Sequence, residues 1–166
     1  TVVGTVTGIE VDVGDSLTYS LTDAAGGRFA IDSTTGQLTV ADGTLLNHES
    51  AASHDVTVRV TDSGGLTYDE TFTISITDVN EVPAALTLSA NTVAEHATNG
   101  TTVGTVTPSD PDAGETFTFQ LTDSAGGRFA IDSTTGQITV VDGTLLDMEF
   151  AASHNVTVRV TDSGGL

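Results

Sequence analysis

A chain of 166 residues with a formal charge of −19, four Arg, no Lys and no Cys lacks the cations that nucleic acid or an anionic membrane face would need. It equally lacks the thiols for disulfides, thiol catalysis or thiolate metal sites. No apolar run approaches the roughly 18 residues of a membrane-spanning helix, and no signal-peptide pattern opens the sequence, which is compatible with a mature fragment of a secreted protein. The 23 acidic residues must be solvated, screened or chelated, and which of these applies is the functional question.

In chain order, period-two alternation predicts strands at Leu17–Leu21, Val56–Val60, Phe72–Ile76 and Leu86–Leu88, with Thr at the outward positions where its branched Cβ suits a pleated surface. Asp, Ser and Gly clusters at 23–27, 32–36, 42–43 and 62–65 predict turns. Only Leu45–Ala52 suggests a short helical turn. Short strands spaced about eight to twelve residues apart, with no long helical period, indicate an all-β sandwich. Asp23, Asp32 and Asp42 sit in Gly-rich turns, where an Asp ordinarily caps the backbone.

The chain repeats itself. Residues 1–66 align without a gap to 101–166, with 48 of 66 pairs identical, including AGGRFAIDSTTG at 25–36 and VTVRVTDSGGL at 56–66. An offset of 100 residues is the size of a domain, not of a solenoid repeat. The boundaries expected are a first copy over 1–78, a linker over 79–83 and a second copy over 84–166. The first copy has no counterpart of the strand at Leu86–Leu88, and the second none of the strand between Leu66 and Thr77. Either the chain is a segment of a longer array, or adjacent chains supply strands to the open edges.

The carboxylates gather in four groups. One is Asp78-Val-Asn80-Glu81-Val-Pro83 between the copies, and another is Asp110-Pro-Asp112-Ala-Gly114-Glu115. The third is Leu146-Asp147-Met148-Glu149, with Leu46-Asn47-His48-Glu49 in the first copy; the fourth is the Asp before Ser-Gly-Gly, Asp62 or Asp162. Acidic groups this dense with no Lys or Arg beside them repel unless a cation bridges them. Ca²⁺ is such a cation, taking about six to eight oxygens. The twelve-residue EF-hand pattern is absent.

Together with Ala94-Glu95-His96 and Val160-Thr161-Asp162, these motifs resemble the cadherin repeat, most of all the bacterial cadherin-like variety of long secreted surface proteins. The resemblance implies tandem seven-stranded Greek-key sandwiches with Ca²⁺ between successive repeats. It implies a complete junction made by Glu49 and the weaker Asn47, by Asp78, Asn80 and Glu81, and by Asp110, Asp112 and Asp162. Half-sites follow at the ends, from Glu10, Asp12 and Asp62, and from Glu95, Asp147 and Glu149. The sequence departs from the family where Asn47 and Glu81 replace the commoner Asp and where Glu10-Val-Asp12 stands for Asp-Pro-Asp. These departures imply two or three ions with affinities in the extracellular range.

The four His show no zinc or catalytic spacing. His54 and His154 occupy one repeat position and are expected to be structural, while His48 is replaced by Met148. Arg28, Arg59, Arg128 and Arg159 are expected in ion pairs that order turns or faces. No nucleophile elbow or phosphate loop is present, so an enzyme is not expected. The expected role is a Ca²⁺-rigidified extracellular repeat of a bacterial surface adhesin, stalk or filament, partnered by neighbouring repeats, adjacent subunits, or a cell-surface protein or glycan. The alternative is a Ca²⁺-dependent polysaccharide-binding module or accessory domain of a secreted enzyme, with Phe150 the candidate exposed ring.

Overall fold

The computed structural model describes residues 1–12 and 14–166. The chain divides into two compact units, Thr1–Val79 and Asn80–Leu166, both all-β and built of antiparallel sheets.

In the first unit one sheet has the order β1 (Val2–Thr5), β4 (Gln37–Val40), β3 (Phe29–Ile31), and the other β2 (Thr18–Asp23), β5 (Ser53–Thr61), β6 (Thr67–Ser75). Alternation does what period two demands: Val56 and Val58 are buried while Asp55 is exposed. Phe29, Leu38 and Val56 form the core, with Leu21, Leu46, Phe72, Ile74 and Ile76 packed on it. Each Val or Leu so buried contributes roughly 1.5–3 kcal/mol relative to exposure.

The second unit pairs β10 (Phe129–Ile131), β11 (Gln137–Val140), β8 (Thr102–Ser109) and β7 (Ala85–Leu88) in one sheet, and β9 (Thr118–Asp123) with β12 (Thr157–Thr161) in the other. Its core is Val106, Phe119, Phe129, Ile138, Val140 and Leu146. The helical turn expected near Leu45–Ala52 is a single 3₁₀ turn slightly earlier, at Gly43–Leu45, repeated at Gly143–Leu145.

The turns follow from Asp chemistry. Asp23 Oδ1 accepts from the Ala25 amide at 2.8 Å. Asp32 Oδ1 accepts from the amides of Thr34 and Thr35 at 3.0 and 2.8 Å, and Asp42 Oδ1 from the Thr44 amide at 2.9 Å. Gly36 closes the Asp32 turn with φ +68°, and a Cβ there would lie 2.3 Å from the Val6 carbonyl oxygen. Only glycine combines that backbone with that approach.

Among the described residues three of the four arginines, Arg28, Arg128 and Arg159, do not make the expected ion pairs. Arg28 donates to the carbonyls of Leu45 and Ala25 at 2.9 and 2.7 Å, and Arg128 does the same with Leu145 and Ala125. The reason is that turn carbonyls have no ladder partner, and a guanidinium offers several donors in a fixed fork. Arg59 does pair, bidentately with Asp69 across β5 and β6, at 2.7 Å for each bond. His54 and His154 pack tilted against Phe29 and Phe129, with ring centroids 6.5 Å apart in each case.

Candidate metal centres

Each unit gathers acidic side chains where loops meet. In the first unit the loop after the 3₁₀ turn is shaped by Asn47, whose Oδ1 accepts from the Ser50 amide at 2.6 Å while its Nδ2 donates to Glu49 Oε2 at 2.8 Å. Asn47 is therefore engaged as a turn cap and as a prop for Glu49. The other Glu49 oxygen and Asp78 Oδ1 lie 3.6 and 3.5 Å from His48 Nδ1, so one imidazole nitrogen faces two carboxylates. The ligand atoms of His48, Glu49 and Asp78 all fall within 4.8 Å of one another. Sequence reasoning set His48 aside because Met148 replaces it. Its place between Asn47 and Glu49 in the acidic motif was the available signal.

Elsewhere in the same unit Glu10, Asp12 and Asp15 converge within 4.8 Å. Glu10 Oε1 accepts from the amides of Val11 and Asp12 at 2.7 and 2.9 Å. Asp15 was not among the expected ligands, though it aligns with Glu115 of the second copy. Asp62 is not in that convergent set; its Oδ1 accepts from the Leu66 amide at 2.8 Å.

The second unit assembles Asn80, Glu81, Asp110, Asp112 and Asp162. Asn80 Nδ2 donates to Asp162 Oδ2 at 3.1 Å, and the Glu81 amide donates to Asp112 Oδ2 at 2.9 Å. The Asp112 amide in turn donates to Asp110 Oδ1 at 3.0 Å. Carboxylate oxygens of Glu81 and Asp112 approach within 4.8 Å. Asp162 is 5 % exposed. The Leu166 amide, helped by the Asn80 side chain, holds its carboxyl below the usual aspartate range against the opposing effect of burial. Most telling, Asp110 Oδ2 and Asp112 Oδ1 are shielded from water and have no hydrogen-bond partner among the described residues.

A second group in this unit, Glu95, Asp147 and Glu149, also converges within 4.8 Å. Glu95 Oε2 accepts from the Met148 amide at 3.2 Å and Asp147 Oδ1 from the Phe150 amide at 2.9 Å. Glu115, outside the expected set, accepts from the Ser163 amide at 3.0 Å and from the Ser163 hydroxyl.

Two carboxylates at that separation repel by about 1 kcal/mol even at the dielectric of water, and by more where water is excluded. Shielded carboxylate oxygens without donors are costly unless a cation meets them. The donor sets in the second unit are all oxygen, which suits a hard divalent cation such as Ca²⁺; Mg²⁺ demands tighter octahedral geometry and retains its water more strongly.

Residues 90–166 match the profile of the Cadherin domain. Rat Protocadherin Fat 2 is 32% identical over 160 residues, 94% of this chain but 4% of that protein. The solved structure PcdhgB3 EC1-4 superposes with a TM-score of 0.73 at 27% identity, covering 98% of this chain and 40% of that one. Mouse Cadherin-23 EC22-24 superposes with a TM-score of 0.71 at 24% identity, covering all of this chain and 55% of that one. The chain thus spans a small part of the length of such a relative. No helix among the described residues is long and apolar enough to cross a membrane. Residues 90–166 thus carry a Cadherin domain, and residues 1–66 repeat the sequence of 101–166 at 48 of 66 aligned positions.

Proposed function

We propose that this chain is a Ca²⁺-rigidified piece of an extracellular adhesin, stalk or filament of a bacterial surface. The observation that carries the reading is the pair of shielded oxygens, Asp110 Oδ2 and Asp112 Oδ1, that accept no hydrogen bond from any described residue. Glu49 and Asp78 in the first unit, with Asn47 supporting Glu49, and Asn80, Glu81, Asp110, Asp112 and Asp162 in the second, are the proposed Ca²⁺ ligands. Glu10, Asp12 and Asp62, and Glu95, Asp147 and Glu149, are proposed for ions shared with further repeats. The bound ion supplies positive charge that cancels carboxylate repulsion. The chain's residues orient the oxygens, exclude water from them and tie the linker down.

A site binding only the folded protein stabilises it by RT ln(1 + [L]/Kd), about 1.4 kcal/mol at tenfold excess. That is worth roughly 5–10 °C in the midpoint of a domain this size. Thermal unfolding should therefore shift upward by about that much when millimolar Ca²⁺ replaces chelator. Millimolar Mg²⁺ should do much less, and Asp110→Asn with Asp112→Asn should abolish most of the shift. A Ca²⁺ response unaltered in the double variant refutes the assignment.

A second reading, a Ca²⁺-dependent glycan-binding module, draws on Phe150, 84% exposed beside Glu149. Retention on a polysaccharide array lost in Phe150→Ala would favour it over the stalk.

A further inference from the structure

One ligand group differs from its neighbours in kind. The sets Glu10–Asp12–Asp15 and Glu95–Asp147–Glu149 offer carboxylate oxygen alone, whereas His48 brings an imidazole nitrogen to Glu49 and Asp78. All three of these residues lie within the first unit. The second copy has Met148 at the position of His48, so the nitrogen belongs to the first copy.

The local structure explains how adjacent residues can face one point. His48 and Glu49 lie in a turn, not a strand, where successive side chains would point to opposite faces. Asn47 closes that turn: its Oδ1 accepts from the Ser50 amide at 2.6 Å and its carbonyl from the Ala51 amide at 3.0 Å. Asn47 Nδ2 also donates to Glu49 Oε2 at 2.8 Å, and Glu49 Oε1 is the oxygen beside His48. Asp78 arrives only after β5 and β6, which is why no spacing in the sequence announces the set.

The separations are those of ligands more than of hydrogen-bonded partners. His48 Nδ1 lies 3.6 Å from Glu49 Oε1 and 3.5 Å from Asp78 Oδ1, beyond the roughly 2.7–3.2 Å of an N–H···O bond. A tetrahedral Zn²⁺ with bonds of about 2.0–2.2 Å holds neighbouring ligand atoms about 3.3–3.5 Å apart. Ca²⁺ takes oxygen and makes no use of an imidazole, whereas imidazole with carboxylate suits Zn²⁺.

We infer that His48 Nδ1, Glu49 Oε1 and Asp78 Oδ1 form a Zn²⁺ site of the first unit, with a fourth position left for water. Asn47 is its positioning residue, since a hydrogen bond to the second oxygen of a ligating carboxylate fixes the first. The site draws two residues from the proposed Ca²⁺ set but does not rest on that reading.

The test uses the full 166-residue chain freed of divalent ions, titrated with Zn²⁺ by calorimetry while long-range ¹H–¹⁵N spectra follow the four imidazoles. Saturable binding of one Zn²⁺ is expected, moving the His48 Nδ1 resonance ahead of those of His54, His96 and His154. His48→Met, which installs the residue of the second copy, should weaken that binding at least about tenfold. Unchanged affinity in His48→Met, no saturable binding, or a shift confined to the other imidazoles overturns the site. Should the variant fail to fold, the imidazole spectra of the parent decide alone. A separate Ca²⁺ titration keeps the two readings apart. A chain that answers Ca²⁺ but not Zn²⁺ overturns this site only, and one that binds Zn²⁺ through His48 without a Ca²⁺ response supports it while refuting the Ca²⁺ assignment.

Discussion

At the scale of single residues, much of the stability rests on turn chemistry. Asp32 and Asp132 each accept from two amides and a hydroxyl, and the Thr35 and Thr135 amides lead in holding these carboxyls below the usual aspartate range. A folded value below the unfolded one of about 3.9 makes their contribution complete above that pH, and it is lost as pH falls through the folded value. Urea unfolding should show Asp32→Ala with Asp132→Ala less stable than the parent at pH 7, with the gap narrowing below about pH 4. Gly36→Ala combines a positive φ with a Cβ 2.3 Å from a carbonyl oxygen. It should cost about 1–3 kcal/mol, against a few tenths for Thr34→Ala, by the same measurement. These turns were readable from Asp-x-x-x-Gly spacing, because an Asx turn is closed by neighbours in sequence. The carbonyl partners of Arg28 and Arg128 were not, since they sit up to 17 residues away.

At the scale of elements, the two copies form an internal control. Val56 is fully buried beneath β6, whereas Val156 has a similar sequence around it and remains part-exposed. Truncation should therefore cost about 2 kcal/mol at Val56 and well under half that at Val156. The two are compared through the denaturant midpoint of each variant, with hydrogen exchange assigning the change to its unit. The Arg59–Asp69 pair joins side chains 42% and 40% exposed, so its removal is worth less than about 1 kcal/mol. Strands β2, β5, β6 and β7 were visible in the sequence because alternation of Thr with Val, Leu, Ile or Phe is a local pattern. Their lengths were not. Ser53–Val56 is strand because β6 lies beside it, and the same stretch a repeat later is not. Tyr68 of β6 is 65% exposed, and its hydroxyl donates to Glu70 Oε2 at 3.1 Å.

At the scale of the whole molecule, a charge of −19 makes self-repulsion a general term, distinct from any metal site. In chelator, raising NaCl from about 10 to about 150 mM should raise the unfolding midpoint, since the Debye length falls to about 8 Å. Millimolar Ca²⁺ added at the higher salt should raise it further if ligation is specific. A response exhausted by NaCl alone would indicate screening in place of chelation.

The sequence by itself determined the class of fold, the duplication and the acidic motifs. Each is written in local spacing or in self-identity, and needs no knowledge of distant neighbours. Tertiary structure decided what each acidic residue touches. It turned Asn47 into a cap, placed His48 against Glu49 and Asp78, left Asp62 out of the Glu10–Asp12–Asp15 group, and sealed two oxygens of Asp110 and Asp112 away from water. Burial and edge exposure depend on which strands lie alongside, and a strand's neighbours come from far along the chain.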